Sequence, residues 1–209
     1  MVGAAGFGRE TLDVVAAINR ASPGRWNVLG VVDDAPSAAN RLRLAARDVP
    51  ILGGLDDYSA APAAEWFVVG IGVPATRQRI AARLEAAGLR AATLIHPSAT
   101  VGASTTFGAG TVVCAGVAVS NCVEVGGHVH LNPQATIGHD ARLGHCASVN
   151  PGAIVSGDCS IGARTLVGAG AVVLQGLRIG SDVVIGAAAC VTRDVPDQAV
   201  AKGVPARWP

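Results

Sequence analysis

Residues 131–155 read LNPQATIGHDARLGHCASVNPGAIV, and every sixth position is a large aliphatic residue: Leu131, Ile137, Leu143, Val149 and Val155. The beat runs outward without an insertion from Ile95 (Val101, Phe107, Val113, Val119, Val125) to Val191 (Ile161, Val167, Val173, Ile179, Ile185), seventeen occurrences in all. Four places after each stands a small or β-branched residue in most hexads, such as Ala135, Ala141, Ala147, Ala153, Cys159 and Thr165. A helix repeats near 3.6 residues and a strand at 2, so a strict six belongs to neither alone. Six is the period of a parallel β-helix, in which each hexad supplies a short strand and a turn. Three hexads close one triangular coil, so residue i lies over residue i+18 at about 4.8 Å. The 97 residues from Ile95 to Val191 make between five and six coils. Gly often follows the aliphatic residue, as at Gly138, Gly144, Gly162 and Gly186, which is expected where corners need backbone angles that a Cβ resists.

Residues 1–92 lack this beat. Gly3-Ala4-Ala5-Gly6-Phe7-Gly8-Arg9-Glu10 opens the chain, followed by Leu12, Val14, Val15 and Ile18 at helical spacing. Val28 to Val32 reads as a strand ending in Asp33-Asp34, and Trp66 to Ile71 as another ending in Gly70-Ile71-Gly72, with a helix over 77–87. Strand and helix alternate, which predicts a small Rossmann-like α/β domain with ligands at the strand C-terminal ends. The glycine loop before a helix suits an anion. Only Met1 and Val2 precede Gly3, so the strand expected before that loop is nearly absent, and a clipped start is the expectation. The domains are therefore 1–92 (α/β), 93–192 (β-helix) and 193–209, an extended tail whose Pro196 and Pro205 run it across the last coil.

At 209 residues the chain holds two modest domains; half the residues are hydrophobic, and 16 basic against 15 acidic residues leave a net charge of +1. No basic run is present, so neither nucleic acid nor a membrane is expected as partner. No signal peptide or spanning stretch is recognised, and the five cysteines form no CxxC pair. Free thiols in a cytoplasmic protein are the expectation.

The eighteen-residue offset also locates chemistry. His139-Asp140 sets an imidazole outside the prism beside a carboxylate, a general base with its orienting partner. One coil on lies Gly157, which leaves the wall open beside the imidazole and offers an N–H to an oxyanion. The bland alternative is a surface His in a turn. His128, His130 and His145 lie nearby, and His-x-His places two imidazoles on one face. No two of the four histidines are in register, so no metal is expected.

The hexads, Ile137-Gly138-His139-Asp140, Asn150-Pro151-Gly152-Ala153 and Gly203-Val204-Pro205-Ala206-Arg207 resemble the hexapeptide-repeat acyltransferases. The front half (the glycine loop, Val31-Val32-Asp33-Asp34, Gly70-Ile71-Gly72 with Arg77, Ile95-His96-Pro97) is similar to the bacterial sialic-acid O-acetyltransferases and nucleotide-sugar N-acetyltransferases. The resemblance covers essentially the whole chain. It implies a left-handed coil, a homotrimer, and acetyl-CoA in the groove between neighbouring β-helices. It implies His139 as catalytic base, Asp140 as its polarising neighbour and Gly157 as the amide facing the thioester oxygen. Ala169 and Ala187 match places that contact the cofactor's pantetheine arm. Gly6, Phe7, Gly8, Asp33 and Asp34 match the sugar-nucleotide pocket. Many relatives carry a second His that helps hold the acyl donor; here it is Ser148, and His130, one coil earlier, is the expected substitute beside the substrate. The implied reaction is acetyl transfer to an amine or hydroxyl of a sugar. Its rivals are a non-catalytic trimeric scaffold or sensor, and a β-helix carbonic anhydrase with three His per zinc.

Overall fold

A computed structural model describes residues 1–209. From Leu94 onward, two-residue strands recur every six residues and stack in parallel ladders of six, five and seven strands, a parallel β-solenoid of about six coils. The register is the one the hexads demand: Thr136–Ile137 lies between Ala118–Val119 and Ile154–Val155. The repeated aliphatics fill the prism, with Leu131, Val149, Val155, Val167 and Val173 fully buried. Where the small inward slot holds threonine, its hydroxyl donates to a backbone carbonyl, Thr111 to Gly126 O (2.9 Å) and Thr165 to Gly180 O (2.6 Å). Beyond Val191 the ladder shortens its step: Val200–Ala201 pairs with Val184–Ile185, sixteen residues back. The segment 193–209 thus adds a strand, and buried Ala206 closes the end of the core.

The corners revise one expectation. Every sixth residue from Ser104 to Ala188 has a left-handed backbone, fifteen turns with φ between 54° and 76°, and only Gly110, Gly116, Gly152, Gly170 and Gly176 among them are glycine. The glycines that follow the aliphatics are needed for a different reason. A Cβ at Gly144 would stand 2.6 Å from Ala163 N, and one at Gly102 2.6 Å from Asn121 N. These glycines admit the backbone of the next coil, whereas the turn angle is imposed three residues after each aliphatic on whatever residue is there, Asp140 and His128 included.

The N-terminal domain is a parallel sheet in the order Ile51, Val31–Val32, Val2, Val69, with Trp66–Phe67 paired to Arg90–Ala91. Its helices are α1 (Gly6–Ala21), α2 (Ala38–Ala45), α3 (Leu55–Ala60) and α4 (Pro74–Ala86). The sheet does not lack its middle. Val2 N–H donates to Val68 O (2.9 Å), Gly70 N–H to Val2 O (2.8 Å) and Gly3 N–H to Val32 O (2.9 Å), so Met1–Gly3 occupy the central position. Helices α2 and α3 escaped the sequence reading because both are short; Ser37 Oγ caps α2 (3.2 Å) and Asp34 accepts the first N–H of α3 (2.6 Å).

The two domains share one apolar core: Val14 and Val15 of α1, Val68, Ala92 and Leu94 join the coil interior in a single cluster. Arg77 of α4 fastens the joint. It is fully buried, and its guanidinium donates to His128 O (2.8 Å), Ile71 O (2.9 Å), Cys146 O (2.6 Å) and Ser148 Oγ (2.8 Å). Burial lowers its pKa to about 10, which leaves it charged at neutral pH. Replacing it strands several buried acceptors, each costing about 1–3 kcal/mol. Arg77→Ala is expected to lower the unfolding free energy by at least about 3 kcal/mol in chemical denaturation, and Arg77→Lys to recover little, since one ammonium cannot reproduce the planar fork.

Candidate functional site

His139 and Asp140 stand at the corner that follows the strand Thr136–Ile137. The left-handed turn at Asp140 (φ 58°) swings its carboxylate back onto its neighbour, and His139 Nδ1 lies 2.7 Å from Asp140 Oδ2. An ionised carboxylate only accepts, so this contact assigns the proton to Nδ1 and leaves the Nε2 lone pair free. Both side chains are exposed, at 62% and 59%. Nε2 lies over Gly157, as the stacking rule requires: a Cβ at Gly157 would stand 2.6 Å from it. The Gly157 N–H donates to no acceptor within the chain, whereas the next amide, Asp158 N–H, is tied to His139 O at 2.7 Å. A base with an open nitrogen therefore faces a wall that carries a free N–H. Cys122, exposed, occupies the place one coil before Asp140, a neighbour the sequence reading passed over.

Ala169 and Ala187 lie at a different corner. Ala188 N–H donates to Ala169 O (2.8 Å), which sets the two one coil apart, and both are exposed on a stretch with Gly168, Gly170 and Gly186. One face of the prism separates this corner from that of His139.

His130 and Ser148 are not at a cleft, which corrects their reading as substrate and cofactor contacts. They pair across adjacent strands and are 1% and 2% exposed beneath the N-terminal domain. His130 Nε2 meets Val69 O (3.0 Å), its Nδ1 meets Arg77 (3.1 Å), and its ring stacks on Phe7 at 4.3 Å. Phe7 is likewise a joint residue. Burial, then the Arg77 guanidinium, hold the His130 imidazole well below its usual range. The sequence offset names what shares a column; it does not say that another domain covers it. Arg77 itself had a signal: with Ala81 and Leu84 it lies on the buried stripe of α4, where a charge is out of place.

Asp33 and Asp34 line a cleft of about 440 Å³ at the C-terminal edge of the sheet, with Gly3, Thr76, Arg79 and Arg83. Asp33 accepts from Ala4 N–H (2.8 Å) and Ala35 N–H (3.0 Å), so its oxygens shape the glycine loop. Arg83 is paired with Asp56, while Arg79 has no ion pair. Gly8 is packed against Gly3, and Gly6 and Gly8 do not line this cleft. The first turn of α1 has neither a capping side chain nor an acidic residue. No cluster of three or more His, Cys, Asp or Glu is arranged to hold a metal.

A family model described as the PglD N-terminal domain matches residues 1–84. Comparison with curated protein sequences gives no match. Among solved structures, PerB from Caulobacter crescentus, in complex with CoA and GDP-perosamine, is 30% identical (100% of this chain, 95% of that one, TM-score 0.87). A histidine-to-asparagine variant of perosamine N-acetyltransferase from the same organism, with the same ligands, gives 30%, 100%, 94% and 0.88. The acetyltransferase domain of PglB from Neisseria gonorrhoeae, with acetyl coenzyme A, is 29% identical (99% of this chain, 96% of that one, TM-score 0.84).

The neutral His130 makes stability depend on pH. Its folded pKa is depressed, so the unfolded chain binds the extra proton, and the contribution is complete above the ordinary His value and lost as pH falls below it. The unfolding free energy is expected to drop below about pH 6.5 with a slope of up to about 1.4 kcal/mol per pH unit from this group. His130→Gln, measured by denaturation across pH 5–8, should flatten that slope; an unchanged slope would assign the effect elsewhere.

Proposed function

The chain belongs to the hexapeptide-repeat sugar acetyltransferases and uses acetyl-CoA; on that premise we propose that it acetylates an amino group of a nucleotide-linked sugar, with His139 as general base. The observation that carries this reading is the His139–Asp140 pair, with its free Nε2 held against Gly157. The acceptor nitrogen attacks the thioester carbonyl while Nε2 takes its proton, and Asp140 stabilises the imidazolium. The Gly157 N–H receives the oxyanion. Collapse breaks the C–S bond, and the imidazolium proton passes to the leaving thiolate, giving the amide and free CoA. An amine is preferred over a hydroxyl because the relatives at 30% identity are an N-acetyltransferase bound to an amino-sugar nucleotide.

The cleft of Asp33, Asp34 and Arg79 suits the nucleotide, and the uncapped start of α1 suits its phosphates. Ser148 lies in the domain joint, so the missing second histidine says nothing in favour of a non-catalytic scaffold.

Assembly as a trimer is part of the proposal, and the three faces of the prism support it. The face bearing Leu94, Val112, His130 and Ser148 is covered by the N-terminal domain. The face bearing Glu124, Arg142 and Arg178 is charged. The third bears Thr100, Ala118, Thr136, Ile154, Val172 and Cys190 and no charge, with Ile154 39% exposed. This uncharged face lies between the corner of His139 and the corner of Ala169 and Ala187. Turned toward a three-fold axis, it brings one corner of each copy against the other corner of the next, and acetyl-CoA lies between them. Location in the cytoplasm, where acetyl-CoA is made, fits the same reading.

The test is thiol release from acetyl-CoA with nucleotide-linked amino sugars. His139→Ala is expected to reduce kcat by about a hundredfold or more. Gly157→Ala, whose methyl displaces the imidazole, should cost at least about tenfold with the melting temperature nearly unchanged. Wild-type turnover by His139→Ala would refute the base assignment.

A further inference from the structure

At the second place after each strand of the uncharged face, successive coils present Ala103, Asn121, His139, Gly157 and Gln175. Asn121 is therefore the side chain one coil before the imidazole. Its place is fixed by the backbone, since Asp140 N–H donates to Asn121 O (3.1 Å) and a Cβ at Gly102 would stand 2.6 Å from Asn121 N. Asn121 is exposed, and its carboxamide bonds to no group of the chain. The asparagines of the neighbouring corner are engaged instead: Asn132 Nδ2 donates to Val149 O (3.1 Å) and to Asn150 Oδ1 (3.3 Å). Nothing in the fold uses the Asn121 side chain, and it stands next to the proposed base.

The two substrates reach His139 from opposite ends of this column. Nε2 is turned toward Gly157, and Ala169 and Ala187, proposed above for the donor's arm, belong to later coils. The acceptor comes from the other end. The front domain, which carries the Asp33–Arg79 cleft, covers the rungs of Leu94, Val112, His130 and Ser148. It thus stands beside the coils up to that of His139, not beside the later ones. The wall on the acceptor's side of the imidazole begins at Asn121, flanked by the shorter side chains of Ser120 and Cys122.

The coil spacing of about 4.8 Å is close to the width of a pyranose ring. With the reacting amine at His139 Nε2, the hydroxyl on the adjoining ring carbon comes back to the coil of Asn121. A carboxamide both donates and accepts, which suits a hydroxyl, and being uncharged it leaves the basicity of the amine alone. We infer that Asn121 is a specificity-determining residue for the acceptor: its carboxamide holds the hydroxyl beside the reacting amine. The acceptor class is then a sugar whose amine has a free hydroxyl on the neighbouring carbon. The inference rests on the acetyl-transfer reading above and adds the substitution pattern of the sugar to it.

Steady-state kinetics of wild type and Asn121→Ala with two acceptors test this. One is a nucleotide-linked amino sugar with a hydroxyl beside the amine, and the other is its analogue deoxygenated at that carbon. With the first, Asn121→Ala is expected to lower kcat/KM for the acceptor about five- to tenfold, the scale of one lost hydrogen bond. The KM for acetyl-CoA and the melting temperature should stay as in wild type, because the side chain packs against nothing. With the deoxy analogue, wild type and variant should agree within about 1.5-fold, since the hydrogen bond is absent from both. An unchanged kcat/KM with the hydroxylated acceptor, or an equal loss with both acceptors, overturns the role of Asn121 and leaves acetyl transfer standing. A rise in the acetyl-CoA KM alone does the same. Wild-type protein that acetylates neither sugar overturns the reading on which that role rests.

Discussion

Residue i sits over residue i+18, and nearly everything else in this molecule follows from holding that register for six coils. Each coil contributes one parallel rung per face, and the left-handed turns that close it recur at every sixth residue from Ser104 to Ala188. Ten of those fifteen positions are not glycine, and each carries a conformational cost of roughly 1–2 kcal/mol. The ladders and the continuous apolar interior offset that cost, because each aliphatic packs on its copies above and below. The register also explains why chemistry can be written into single positions. A side chain at the +2 place of one hexad faces the +2 place of the next coil, so the imidazole at 139 meets whatever stands at 157. Glycine there is the one residue that lets the ring lie flat against the wall.

A second constraint sets how the front domain sits on this scaffold. Arg77 ties the Ile71–Gly72 turn of the α/β sheet to the backbone of two successive coils, through His128 O and Cys146 O. The cleft at Asp33 and Asp34 is thereby fixed relative to the prism. A buried cation surrounded by carbonyls is costly to desolvate, yet its several oriented donors define one docking geometry. His130 and Ser148 complete that joint as acceptors for the Arg77 guanidinium.

The solenoid, its coil count and the His139–Gly157 column were legible in the sequence because all three depend only on period and offset. Legibility failed where a third element intervened. Nothing in the hexads says which face the front domain covers, so His130 and Ser148 passed for site residues. Glycine after the aliphatics was rightly noticed and wrongly explained: steric closeness between coils, not turn angle, requires it. The central strand looked missing because Met1–Gly3 is too short to show a period, although Val2 makes bonds to both neighbours.

The claim on which the functional account turns is that one copy supplies His139 and the next supplies the smooth corner of Ala169 and Ala187. Co-refolding two inactive variants, His139→Ala and Ala187→Glu, into mixed assemblies tests it directly. Each site then draws its two corners from different chains, and roughly a quarter of the sites in a ring closed by heterologous contacts become wild type. Recovery of about that fraction of wild-type thiol release is the predicted result. No recovery from mixed assemblies of confirmed three-chain mass would contradict a shared site and return both corners to a single copy.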